Sequence, residues 1–314
     1  MNKLSFFVTL FCVAMAASSV VSCEKAIIDE ESSEEVTQGK NSSKTTGENG
    51  DKDDKGKVAV VLRVSKNVQE PIKAMPRRAV VDLTTYCTRL NFVVYKDGVK
   101  VKGLSQTTDD SNFGEVTMKL DPGDYKLLVL AHKSVGGNPT VSDPENIHFT
   151  NALGYSDTFS YYGDLFVGGQ DLNHSLLLTR NVSLLRFVIN DEFPPEVKYM
   201  HFYYTGGSGV LNAVTGYGGN VNSQQEKLVD VSGMTSPATF NLYTFLQQEE
   251  GKLQVRVRAL ASDKSTIILE RTFGEIGMKH QKYSEYSGYF FDSDQSFTIS
   301  AETDWGEPYQ ELEY

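Results

Sequence analysis

The residues able to do chemistry are few and far apart. Cysteines stand at positions 12, 23 and 87, and single histidines at 132, 148, 174, 201 and 280. A zinc site needs paired His or Cys ligands at short spacing, and none of these residues offers it. A thiol nucleophile needs a base beside it. Cys87, in the run Thr84-Thr85-Tyr86-Cys87-Thr88-Arg89-Leu90-Asn91-Phe92, has no His or Asn pattern around it and reads as a small buried hydrophobe. The acids of Asp51-Lys52-Asp53-Asp54-Lys55-Gly56 are spaced like the start of a calcium loop, but Leu62 stands where a bidentate Glu is required. The clusters Gly206-Gly207-Ser208-Gly209 and Gly216-Tyr217-Gly218-Gly219 lack the Lys-Ser/Thr and the strand–helix setting of a phosphate cradle. They fit a loop or bent sheet region instead. The expectation is a protein without catalytic residues, metal or cofactor.

The thiol with a clear role is Cys23. Lys3 precedes an apolar stretch, Leu4 to Ala17, that is short for a membrane span. Val20-Val21-Ser22-Cys23 follows, and this order resembles the bacterial lipobox. In that motif the cysteine receives a diacylglycerol before signal peptidase cuts, here between Ser22 and Cys23. Residues 1–22 are then a lipoprotein signal peptide. Two or three acyl chains make anchoring durable where one does not. Cys12 leaves with the signal, so Cys87 has no disulfide partner.

Residues 23–56 form an acidic tether. Almost no large apolar side chain follows Ile28, and such a segment cannot bury enough surface to offset its ordering entropy. Its run Asp29-Glu30-Glu31-Ser32-Ser33-Glu34-Glu35 is either plain linker solvation or similar to the acidic export signals of surface-exposed Bacteroidetes lipoproteins. A net charge of −11 without a basic stripe argues against nucleic acid as a partner.

After Gly56 the pattern alternates with a period of two. Val58, Val60, Leu62 and Val64 share one face, as do Leu90, Phe92 and Val94, and Asp97-Gly98 predicts a hairpin turn. Gly114–Leu120 and Tyr125–Ala131 flank a second turn at Asp121-Pro122-Gly123-Asp124. Further strands are predicted at Ser175–Leu178, Val182–Asn190, Tyr199–Tyr204, Ala238–Phe245, Leu253–Ala261, Thr266–Phe273 and Ser296–Ala301. Strands without intervening helices imply an all-β chain of antiparallel sheets. A boundary at Leu178-Thr179-Arg180 divides it into β-sandwich domains at 57–178 and 179–314. Tyrosines and phenylalanines are dense, among them Tyr161-Tyr162, Phe202-Tyr203-Tyr204, Tyr286, Tyr289 and Phe290-Phe291. Most belong to core or sheet surface, and exposed ones could stack on sugars or fill an interface.

Several of these segments are similar to one family. They are Arg78 through Tyr95, Asp124 through His132, Tyr161-Tyr162-Gly163-Asp164-Leu165, Leu178 through Phe187, and Tyr286-Ser287-Gly288-Tyr289-Phe290-Phe291 with Trp305. They resemble the anchor and minor fimbrial subunits of Bacteroidetes type V pili, the fimbrillin-type lipoproteins. The resemblance implies two tandem transthyretin-like β-sandwich domains on an outer-membrane lipid anchor, exposed at the cell surface. It also implies other fimbrial subunits as partners through β-strand exchange, and a host or bacterial surface ligand. In polymerising members a trypsin-like protease cuts after Arg or Lys and removes the first strand. The corresponding candidate here is the Arg78–Ala79 bond, with Val58–Val64 as the strand removed; Arg77-Arg78 also reads as a plain solvated pair. Such a cut would part the domains from the lipid, so an anchor would stay uncut. The competing expectation is a surface glycan-binding lipoprotein of a nutrient-uptake system.

Overall fold

The computed structural model describes residues 56–66, 83–134, 136–150, 154–219, 223–292 and 297–299. The predicted all-β architecture is present. Eight strands precede Asn181: β1 (Val58–Lys66), β2 (Arg89–Lys96), β3 (Val99–Thr107), β4 (Glu115–Leu120), β5 (Gly123–His132), β6 (Ile147–His148), β7 (Thr158–Val167) and β8 (Leu172–Arg180). Nine follow it: β9 (Ser183–Ile189), β10 (Tyr199–Thr205), β11 (Val210–Leu211), β12 (Gln225–Asp230), β13 (Ala238–Thr244), β14 (Glu250–Leu260), β15 (Ile267–Lys279), β16 (Tyr283–Gly288) and β17 (Thr298–Ile299). Asp97 and Gly98 both take positive φ, 52° and 80°, which makes the β2–β3 hairpin turn of the expected Asp-Gly kind.

The first group is ordered β3-β2-β5-β7-β8-β1-β4. The β7–β8 join holds by only two residue pairs, Phe159 with Arg180 and Ser160 with Thr179. Around that corner the sheet folds over, so β8-β1-β4 covers β2-β5-β7. Val60, Leu62, Leu90, Phe92, Met118, Leu127, Val129 and Leu176 meet between the layers. In the second group, β12-β10-β14-β15 faces β13-β9-β16-β17 across a core rich in phenylalanine. Phe187 lies there within 5.6 Å of Phe202 and 5.3 Å of Phe273, edge to face in both pairs.

The sheets are antiparallel apart from two parallel pairs, β1 with β8 and β9 with β16. Six strands carry no strand expectation from the sequence: β3, β7, β12, β16 and the two-residue β6 and β11. β3 and β12 are edge strands rich in charge, and β16 is polar along its length.

A third cluster joins the groups. Along β5 the side chains of Leu127, Val129 and Ala131 enter the first core, while Leu128 and Leu130 face the other way. There, with Val93 and Tyr95 of β2, they meet Val182, Leu184, Tyr243 and Phe245. The short pair β6–β11, with Ile147 opposite Leu211, closes one side.

Candidate assembly site

The site with the most to say about function is the slot held by β1. The alternation of Val58, Val60 and Leu62 puts three aliphatic side chains on one face, all buried. β1 pairs with β4 antiparallel, from Val58 opposite Leu120 to Arg63 opposite Glu115. On its other edge it pairs with β8 in parallel, from Val60 opposite Leu172 to Lys66 opposite Leu178. The strand earliest in the described chain thus sits in the middle of a layer, and the connection from Lys66 to Leu83 lies outside the described residues. Without β1, β4 and β8 would each lose a full ladder of backbone hydrogen bonds, and the core would open between Met118 and Leu176. Burying three such side chains contributes roughly 5–9 kcal/mol at ~1.5–3 kcal/mol each, similar to the whole stability of a domain.

Polar contacts on the outer face fix the register. Arg63 Nε donates to Glu115 Oε2 at 2.6 Å on β4, and Nη1 to Asn173 Oδ1 at 3.2 Å on β8, so one side chain bridges both neighbours. Ala59 N–H donates to Asp171 Oδ1 at 3.1 Å. The ion pair is about half exposed on both sides and adds little energy, but it penalises a one-residue slip.

The sequence-derived positions Ser22, Cys23, Arg78 and Ala79 all lie outside the described residues, as do the signal peptide and the tether up to Lys55. Cys87 is fully buried in the first core with its Sγ–H donating to Leu83 O at 3.6 Å, in keeping with a packing role. The five histidines remain apart, and no His/Cys/Asp/Glu group suited to a metal occurs among the described residues. Burial pushes the pKa values of His132 and His280 down, with Arg89 adding to the effect at His132 and Glu249 opposing it at His280. Burial likewise raises the phenols of Tyr95 and Tyr204, each of which donates to a backbone carbonyl: Val141 O at 2.7 Å and Tyr243 O at 2.9 Å. No described helix is long and apolar enough to cross a membrane.

The glycine clusters serve packing. A Cβ at Gly206, where φ is +102°, would strike the carbonyl oxygen of Lys252. One at Gly218 would stand 2.6 Å from Phe245 O. The sequence reads these clusters as a loop or bent sheet region, and the structure adds the close backbone approach as the physical reason for glycine there.

The family of fimbrillin-A associated anchor proteins Mfa1 and Mfa2 matches residues 78–311, about three quarters of the chain. The chain belongs to that family. The match begins after β1, so β1 is a structural observation rather than part of the family match. No curated protein matches the chain. Among solved structures, an adhesin candidate from Bacteroides ovatus is similar at 15% identity and a TM-score of 0.48, covering 74% of this chain and 88% of its own. A structure described as a candidate polysaccharide-binding protein from Bacteroides thetaiotaomicron is 8% identical with a TM-score of 0.46, covering 80% of this chain and 99% of its own. The tip fimbrial protein Mfa3 from Porphyromonas gingivalis, truncated at its C-terminus, is 12% identical with a TM-score of 0.39, covering 79% of this chain and 100% of its own.

Proposed function

We propose that this member of the fimbrillin-A associated anchor family is a non-enzymatic lipoprotein of the outer membrane. In this reading acyl chains on Cys23 hold it at the cell surface, and it acts as an anchor or minor subunit of a fimbria. It joins other subunits by β-strand exchange, with residues 57–178 and 179–314 as its two sandwich domains. The observation that carries the reading is the position of β1: a strand near the start of the folded part occupies a central, wholly paired slot. A strand from another subunit could refill that slot with the same main-chain ladder and the same apolar face. Because β1 precedes Arg78, a cut between Arg78 and Ala79 would release β1 and the lipid together. An anchor therefore keeps that bond intact, and a polymerising subunit would lose it.

Intact-mass and N-terminal analysis of the protein from native envelopes tests this. The expected product is acylated, begins at Cys23 and is uncut at Arg78. A mature start at Ala79 would replace the anchor with a polymerising subunit. An unmodified Cys23 would remove the membrane attachment on which the reading depends.

A further inference from the structure

A cleft of about 480 Å³ opens where β7 and β8 meet loops of the second group of strands. One wall carries Tyr217, whose ring lies 4.2 Å from the His280 ring at an interplanar angle of 32° and whose hydroxyl donates to Glu249 Oε2 at 3.3 Å. Asn181, at the junction between β8 and β9, lines the floor and is 2% exposed. Its Nδ2 donates to Gly216 O at 3.4 Å, while its Oδ1 is buried with no hydrogen-bond partner among the described residues. His280, 8% exposed, has its Nδ1 in the same condition. Two buried polar side chains with unmet capacity in one cleft are costly for a structure that needs only packing there.

The charge of the cleft narrows the ligand. No Lys or Arg lines it, Glu249 is its one carboxylate, and burial lowers the His280 pKa against the opposing pull of Glu249. Phosphates, sulfates and carboxylates would meet repulsion without a compensating cation. Hydroxyls and amides from Ser160, Thr179 and Gln281 predominate over apolar surface, so a lipid chain is a poor occupant. Leu177 and Val214 supply exposed apolar contact, at 55% and 46% exposure, and Tyr217 is only half-buried. Aromatic and aliphatic patches set among amides, hydroxyls and one carboxylate complement a molecule with apolar C–H faces and many hydroxyls.

We infer that this cleft binds a neutral saccharide, with Tyr217 as the stacking platform and Glu249 as the acceptor of sugar hydroxyls. The inference does not depend on strand exchange or on the lipid, since Tyr217, Glu249 and His280 all lie beyond β8, and of the residues named only Leu177, opposite Ser65, pairs with β1.

The test uses full-length protein in detergent micelles on an array of neutral oligosaccharides (glucans, mannans, galactans, N-acetylhexosamine oligomers) beside sialylated, sulfated and uronate-containing ones. Hits are then titrated calorimetrically. At least one neutral oligosaccharide should bind, and Tyr217→Ala and Glu249→Gln should each weaken it at least tenfold. Tyr289→Ala, at an exposed tyrosine outside the cleft, should leave affinity unchanged. Glu249 is exposed, so Glu249→Gln keeps the test decisive even if Tyr217→Ala loosens its loop. Absence of any neutral ligand, a preference for acidic glycans, or binding that survives Glu249→Gln would each overturn the assignment.

Discussion

Acidification between pH 6.5 and pH 4 should draw stability out of this protein through His132. The ring is wholly buried at the end of β5. Its Nε2 lies 3.0 Å from Asn91 Oδ1, and its Nδ1 3.2 Å from the backbone nitrogen of Ser134. A backbone N–H can only donate, so Nδ1 accepts and Nε2 carries the ring proton. Asn91 Nδ2 passes the connection on to Ser105 Oγ at 2.8 Å and Asn138 Oδ1 at 3.0 Å, tying β2, β3 and the segment after β5 into one neutral network. A second proton would have to sit on Nδ1, facing the Ser134 N–H. Burial, reinforced by Arg89, holds the pKa at about 4 against an ordinary 6.5. The unfolded chain therefore takes up its proton at higher pH than the folded one. The stability is complete above pH 6.5, declines as pH falls towards 4, and loses nothing more to this group below that. A gap of about 2.5 pH units at ~1.4 kcal/mol each comes to ~3 kcal/mol. Urea unfolding followed by circular dichroism at intervals from pH 7.5 to 4, on wild type and His132→Gln, isolates the effect from carboxylates and from His280. The wild type should lose ~3 kcal/mol more than the variant across the window. Parallel pH profiles for the two proteins would refute the reasoning.

Leu62→Ala empties a fully buried position in the β1 slot and should cost about 2–5 kcal/mol, read as a lower urea midpoint with unchanged slope. Asp191 accepts from the backbone N–H groups of Phe290, Phe291 and Asp292 at 2.9, 2.5 and 3.1 Å. Asp191→Asn should destabilise by about 2–3 kcal/mol in thermal unfolding and raise hydrogen exchange at those three amides first. Gly206→Ala forces a side chain into positive φ and against Lys252 O, and a loss on the order of 3 kcal/mol or failure to accumulate folded protein is expected.

Strands with one wet face and one dry face, such as β4 and β10, are legible from alternation alone. β4, with every second residue buried, is the clearest case. β2, β9 and β13 are buried on both faces and are legible as apolar runs. β5 reads as an uninterrupted apolar run because it has a core on each side, and no periodicity says which residue faces which core. β7 escaped because three successive residues, Thr158, Phe159 and Ser160, are buried before half-buried Tyr161-Tyr162-Gly163. β12 escaped because an edge strand reading Gln-Glu-Lys-Leu-Val-Asp resembles a loop in composition. Parallel pairing of β1 with β8 depends on contacts more than a hundred residues apart along the chain, which local patterning does not encode. The cleft was equally hidden. Tyr217, Glu249 and His280 stand on three separate loops, and in the sequence each is an isolated polar residue with no pattern linking it to the others.

The parallel pairing of β1 with β8 has a mechanical meaning. Consider tension between the chain entering at Val58 and the second group of strands. It pulls β1 from its N-terminal end and β8 from its C-terminal end, where Arg180 leads into β9. Two parallel neighbours drawn from opposite ends slide along their common axis, so all their rungs strain together instead of parting one after another. Failure then requires many hydrogen bonds to break in a single event, with Val60 and Leu62 still seated in the core. A pull applied to the chain ahead of Val58 thus meets the fold along its stiff direction.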